Sequence, residues 1–236
     1  MASIFKPAEW FRKPHPLLLW NRELFADFDQ SRPLTEYCFV VVDTELTGLN
    51  RRRDEIISIG AVRIANMQIQ LDSTFHQYVR PNNLDHNQAT FIHQITPEQL
   101  RQAPTIEAVL PAFVEFCGDA LLVGHCLDID MSFLNRAAQK VLGGTLSNPG
   151  VDTMRLARAF KEAHLANGYG HNDQTFSYSL DALCEEFNLP RFKPHDALED
   201  ALQSAYLFLF LVRKLTEGRV RTLKDLYQAG RLLRLM

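Results

Sequence analysis

Long apolar runs are missing from this chain. The longest candidate, Tyr206 to Val212, falls far short of the about 20 residues a helix needs to cross a bilayer. It reads instead as part of a buried core helix, and no membrane association is expected. The cluster Leu17-Leu18-Leu19-Trp20 is also too short, and Pro14 and Pro16 interrupt it, so it is neither a signal peptide nor a span. Cysteine is scarce. Cys38, Cys117, Cys126 and Cys184 show no paired spacing, which argues against a disulfide framework and a zinc site and points to reduced thiols in a cytoplasmic protein. An excess of positive charge is absent too. A formal net charge of -3 excludes the broad basic surface of a protein that coats nucleic acid non-specifically, while leaving room for a local basic groove. There is no internal repeat and no low-complexity segment.

What is present is an ordinary folded composition, 46% hydrophobic over 236 residues, enough for one large domain with appendages. Residues 1–36 read as an arm with a short helix over Asn21 to Gln30, either packed on the main domain or docked on a partner. The main domain spans 37–216. Its first strand, from Phe39, is followed by the polar loop Asn50 to Asp54, whose Arg51, Arg52 and Arg53 are either a solvated loop or phosphate contacts. Glu55 to Ala65 and Leu71 to Val79 read as strands joined by a hairpin at Asn66-Met67. Thr96 and Gln99 have capping-box spacing, with Pro97 suited to the first helical position. Thr105 to Cys117 is helical, Ala120 to Gly124 is a buried strand, and a helix carrying Phe133, Leu134 and Ala138 follows. Asp152 reads as the cap of a helix over Met154 to His164. Leu165 to Ser177 is a polar loop, and Ser179 caps Leu180 to Phe187. A long helix opens after Pro194, and 217–236 forms a helical tail.

The stretch Phe39 to Leu49 carries the chemistry. A short β-branched run reads as a buried central strand that ends at Thr47-Gly48. Asp43 and Glu45, two apart, share one face at its carboxyl end. Converging anions repel unless a cation lies between them, and Mg²⁺ or Mn²⁺ suits an all-oxygen site. Gly124-His125 and then Asp130 repeat the arrangement of strand, turn, carboxylate and helix, although Asp130 also reads as a simple helix cap. His195 and Asp200, five apart, would diverge by some 140° on one regular helix at about 100° per residue, so they share a site only if His195 precedes it. Pro194 and the cap residue Asp196 allow that.

Together these motifs resemble the DEDDh family of 3'-to-5' exonucleases, and among them the proofreading subunits and domains of bacterial DNA polymerase III. The resemblance runs from Cys38 to Leu215, includes His93-Gln94-Ile95-Thr96, and leaves the arm and tail unexplained. It implies an α/β, ribonuclease H-like fold, a mixed five-stranded sheet with helices on both faces. It also implies hydrolysis of single-stranded or frayed DNA from the 3' end, releasing nucleoside 5'-monophosphates with two Mg²⁺ or Mn²⁺ ions, and a DNA polymerase as partner. Asp43 would bridge the ions, Glu45 and Asp200 would complete the water-activating site, Asp130 would support the second ion, and His195 would be the base. Thr44, Leu46, Leu49, Ile95, His125 and Phe133 would meet the terminal nucleotide, with an equal claim to be core positions. Cys126 departs from the family, which usually has Asn after the Gly-His pair. The rivals are an exoribonuclease of the same fold and a catalytically silent nucleic-acid-binding or polymerase-docking module.

Overall fold

The computed structural model describes residues 13–82, 95–166, 177–217 and 220–231. Its centre is a mixed sheet of five strands in the order β3-β2-β1-β4-β5. The strands are β1 (Phe39–Leu46), β2 (Ile56–Ala65), β3 (Gln68–Tyr78), β4 (Leu121–Gly124) and β5 (Gly150–Asp152). β1 to β3 form an antiparallel meander, and β4 and β5 add parallel to β1 on its other side. The expected hairpin turn is present, with Asn66 and Met67 both at positive φ, 51° and 57°, which suits a tight turn between twisted strands.

β1 is buried because both its faces are covered, which is why the sequence shows an unbroken apolar run rather than alternation. Val40 and Val42 join one core with α3 (Ile106–Cys117) and α4 (Asp128–Leu142). Phe39 and Val41 join a second core with α5 (Thr153–Ala166), α6 (Leu180–Glu186) and α7 (Ala197–Glu217). Phe39 and Phe208 meet there with ring centroids 5.0 Å apart. This is the mixed sheet with helices on both faces that the resemblance implies.

Several local expectations hold. Thr96 and Gln99 form the full capping box of α2 (Pro97–Gln102), Ser179 caps α6, and Asp152 Oδ1 accepts the Met154 amide at 2.9 Å at the start of α5. One boundary differs. The helix read over Asn21 to Gln30 is α1 (Pro16–Leu24), because Pro16 is tolerated in the first helical turn and His15 Nδ1 caps the Leu17 amide at 3.2 Å. α1 packs on the domain through buried Leu18 and through Asn21, whose amide donates to Asn148 Oδ1 at 2.8 Å. In the tail, α8 (Leu223–Arg231) buries Leu223 and Leu226 in the second core. The expected polar loop lies largely outside the described residues, as do His93 and Gln94. No helix among the described residues is long and apolar enough to cross a membrane, and all four cysteines are unpaired.

Candidate active site

By the two-residue period of a strand, Asp43 and Glu45 continue the face of β1 that carries Phe39 and Val41, the face covered by α7. α7 begins at a very close approach. Asp43 pairs with Gly60 across the β1–β2 ladder, and a methyl group on Gly60 would lie 2.1 Å from the Ala197 carbonyl carbon and 2.2 Å from the Leu198 nitrogen. Only glycine lets the helix start there. Asp196 Oδ1 caps it, accepting the amides of Leu198 at 3.1 Å and Glu199 at 3.2 Å. His195 therefore precedes the helix, with φ at 66°, and its own amide donates to Asp200 Oδ2 at 3.0 Å. The five-residue spacing closes as required. One ligand atom each from Glu45, His195 and Asp200 lies within 4.8 Å of the others.

Asp130 arrives from the opposite face of the sheet, reaching over the end of β1. Its Oδ1 accepts both the Thr44 amide at 3.0 Å and the Thr44 hydroxyl at 2.6 Å. It is not a cap. It is the third residue of α4, whose N-terminal boundary residue, Leu127, makes no capping bond.

The turn between β4 and α4 is held by His125. Its Nε2 lies 2.8 Å from the Tyr178 carbonyl and its Nδ1 2.9 Å from the Thr153 hydroxyl. A carbonyl only accepts, so Nε2 carries the proton. Burial holds the ring's pKa below the usual imidazole range, against the opposing effect of the Tyr178 bond and the Asp152 charge. Nδ1 is therefore bare and faces the Thr153 hydroxyl, whose proton is shared between Nδ1 at 2.9 Å and the Gly124 carbonyl at 3.2 Å. Cys126 follows at φ 61°, its amide donating to Asp152 Oδ1 at 3.2 Å. Asn is among the few residues at ease in that left-handed conformation, which gives a physical reason for its usual presence here.

Burial first, and then the neighbouring charges, raise the pKa of three of the carboxylates. Asp43 is pushed well above its usual value, first by desolvation and then by the charges of Asp130, Asp200, Glu45 and Asp196. Asp130 rises to about 7 through burial, although the Thr44 bonds pull the other way. Asp200 also rises to about 7 through burial, opposed by the His195 amide and helped by Glu45. Desolvated carboxylates from β1, α4 and α7, facing one another through oxygen atoms alone, are the donor chemistry of hard divalent cations.

The other singled-out residues divide. Thr44 is buried, and its amide and hydroxyl are both engaged by Asp130. Leu46 and Phe133 are core residues, with Phe133 also lining a groove beside the site. Ile95 is buried in a small cluster with Ile57 and Leu100, and His125 is a fastening of the fold. Leu49 alone stands out in solvent, 73% exposed just beyond the carboxylates. Sequence reasoning passed over Gly60, Thr153 and Tyr178. Nothing local marks them, because each acts through a residue distant in sequence.

A family profile described as Exonuclease matches residues 40–208. A DNA polymerase III PolC-type protein of Caldanaerobacter subterraneus subsp. tengcongensis is 37% identical over 188 residues, which is 80% of this chain and 12% of that protein. The chain thus spans about one eighth of the length of the PolC-type relatives it matches. Among solved structures, Exonuclease X in complex with 5' overhanging duplex DNA is similar at a TM-score of 0.60 and 24% identity, covering 81% of this chain and 99% of that one. The nuclease domain of 3'hExo, a DEDDh family member bound to rAMP, is similar at a TM-score of 0.62 and 19% identity, covering 79% and 96%. At those identities the two structures establish the ribonuclease H-like fold.

Proposed function

The chain belongs to the Exonuclease family, and from that premise we propose that it is a 3'-to-5' exonuclease that removes nucleoside 5'-monophosphates from single-stranded or frayed DNA. Exonucleases of the DEDDh type use divalent metal ions. The observation that carries the reading is the convergence of Asp43, Glu45, Asp130 and Asp200 from three elements, with His195 at their rim. Asp43, Glu45, Asp130 and Asp200 would hold two ions, Mg²⁺ or Mn²⁺. When bound, such ions activate water, screen the phosphate and stabilise the leaving 3' oxygen.

The chain's own residues do the rest. Thr44 fixes the rotamer of Asp130 through one carboxylate oxygen. The His195 amide does the same for Asp200. The exposed His195 imidazole accepts the proton of the attacking water and can pass it to solvent. Exposed Leu49 offers an apolar contact for the terminal base or sugar. On the likeness to a PolC-type DNA polymerase III, a DNA polymerase is the proposed partner and proofreading or repair the proposed setting.

A 5'-labelled single strand with Mg²⁺ or Mn²⁺ should shorten stepwise from its 3' end. A circular strand, or one capped by a bulky 3' group, should survive. Equal cutting of circular and open strands would make the protein an endonuclease. Much faster loss of a matched RNA strand would replace DNA with RNA as the substrate.

A further inference from the structure

Beside the carboxylates lies a groove of about 540 Å³ that the chemistry above does not use. It shares no residue with the site but adjoins it. Ile56, which lines it, pairs with Leu46, the residue after Glu45, and Phe133 lies one helical turn beyond Asp130. From there α4 lays a single stripe along the groove, Phe133, Arg136, Ala137 and Lys140, at the spacing of one helix face. Ile56, Val79 and Phe133 supply apolar surface. Arg52, Arg53, Arg80, Arg136 and Lys140 supply positive charge, against Glu55 and Glu107. Such an excess is notable in a chain whose net charge is -3.

The arginine loop is built rather than loose. Arg136 donates from its guanidinium to the carbonyls of Arg51 and Asp54, and its cation sits 5.1 Å from the centre of the Phe133 ring. Asp54 Oδ2 accepts the Asn50 amide at 2.7 Å, Asn50 Oδ1 accepts the Arg52 amide at 3.0 Å, and the Arg53 amide returns to the Asn50 carbonyl at 3.1 Å. α4 thus pins the turn that holds Arg52 and Arg53 on the groove wall. Glu55 is turned to Asn82, whose amide it accepts at 2.8 Å.

We propose that this groove binds the single strand upstream of the scissile end, with Arg52 and Arg53 on its phosphates and its apolar surface against sugars and bases. A positive track with apolar contacts is the usual device for a single strand bound without regard to sequence. The proposal rests on the exonuclease reading for its direction, because the strand must leave the carboxylates along α4. From Asp130 to Lys140 the helix rises about 15 Å, the length of about four stacked nucleotides at ~3.4 Å each. Arg136 is a positioning residue that acts through the loop.

Binding of 5'-fluorescein dT12 and dT2, measured by anisotropy in EDTA where cleavage is stopped, tests the groove independently of catalysis. Wild type should bind dT12 far more tightly than dT2. The Arg52→Glu/Arg53→Glu variant should weaken dT12 binding by roughly ten- to a hundredfold, and the salt dependence should fall by about 0.7 for each phosphate that is no longer neutralised. A control with the same change in net charge, Arg22→Glu/Lys224→Glu, carries both reversals at exposed positions outside the groove. Its binding should stay near wild type. Equal losses in the two variants, or none in the loop variant, overturn the groove. Hydrolysis of the p-nitrophenyl ester of thymidine 5'-monophosphate with Mn²⁺ reports on the carboxylates alone. If the ester survives while the loop variant still loses dT12, the catalytic reading fails and the groove stands.

Discussion

Asp43, half-buried near the carboxyl end of β1, faces the charges of Asp130, Asp200 and Glu45. Such a residue weakens the metal-free fold rather than supporting it. Asp43→Asn should therefore lower turnover by roughly a thousandfold or more, the scale of several kcal/mol that a metal ion contributes. The metal-free variant should melt no lower than wild type. Near-normal nuclease activity in the folded variant would remove Asp43 from the site. His195→Ala is expected to slow cleavage by roughly a hundred- to ten-thousandfold, the range for losing a general base, with Mn²⁺ affinity kept. Much weaker Mn²⁺ binding would make His195 a ligand, and an unchanged rate would make it a spacer. Asp43 and Glu45 were legible in the sequence because a strand's period is fixed, and His195 with Asp200 because Pro194 and Asp196 announce a helix start. The bond from Thr44 to Asp130 was not legible. It joins residues 86 apart, and no local pattern encodes such a pairing.

At the scale of elements, the site depends on how tightly two helices are brought to the sheet. The β4–α4 turn is fastened by His125, half-buried and neutral between Thr153 and Tyr178. Its folded-state pKa lies below that of the unfolded chain, whose imidazole takes up a proton near about 6.5. The stabilisation is thus complete above that range and is lost as pH falls through it. His125→Ala should cost about 1–3 kcal/mol at pH ~7.5, chiefly from the Tyr178 carbonyl left without its donor, since the Thr153 hydroxyl keeps the Gly124 carbonyl at 3.2 Å. The difference in melting midpoint between wild type and variant should shrink steadily on acidification to pH ~5. A difference that does not vary with pH would mean that folding leaves the His125 pKa unshifted. The sequence had shown His125 beside the site and suggested substrate. The burial that makes it a fastening comes from β5, α5 and the segment before α6, which only the fold assembles. Helix caps were readable because they are local, as Thr96 with Gln99 shows. The start of α1 was misplaced because Pro14 and Pro16 look like breakers until the second is seen to occupy the first turn.

At the scale of the whole molecule, two cores on opposite faces of one sheet hold carboxylates together against their repulsion. The strand types were legible, since apolar runs, a hairpin turn and alternating helices can be read along a chain. The order β3-β2-β1-β4-β5 was not, because it follows from which faces bury together. That arrangement predicts a linkage between protons, metal and stability. Asp130 and Asp200 have folded-state pKa values of about 7, and Asp43 is also raised, whereas unfolded carboxylates titrate near about 4. The folded cluster therefore holds more protons than the unfolded chain between those limits, so its contribution to metal-free stability grows as pH falls through that window. Above about 7 the full cost of the ionised cluster is present, and there a cation has most to relieve. Mn²⁺ at about a hundred times its Kd should raise the melting midpoint by roughly 5–10 °C at pH ~7.5. At pH ~5.5 the same concentration must displace protons and should give a clearly smaller shift. Asp43→Asn should lose most of the shift at both pH values. A wild-type midpoint unmoved by millimolar Mn²⁺ at pH ~7.5 would leave the carboxylates without a cation and favour the silent module over the enzyme. A shift of equal size at both pH values would instead place the metal on groups other than these acids.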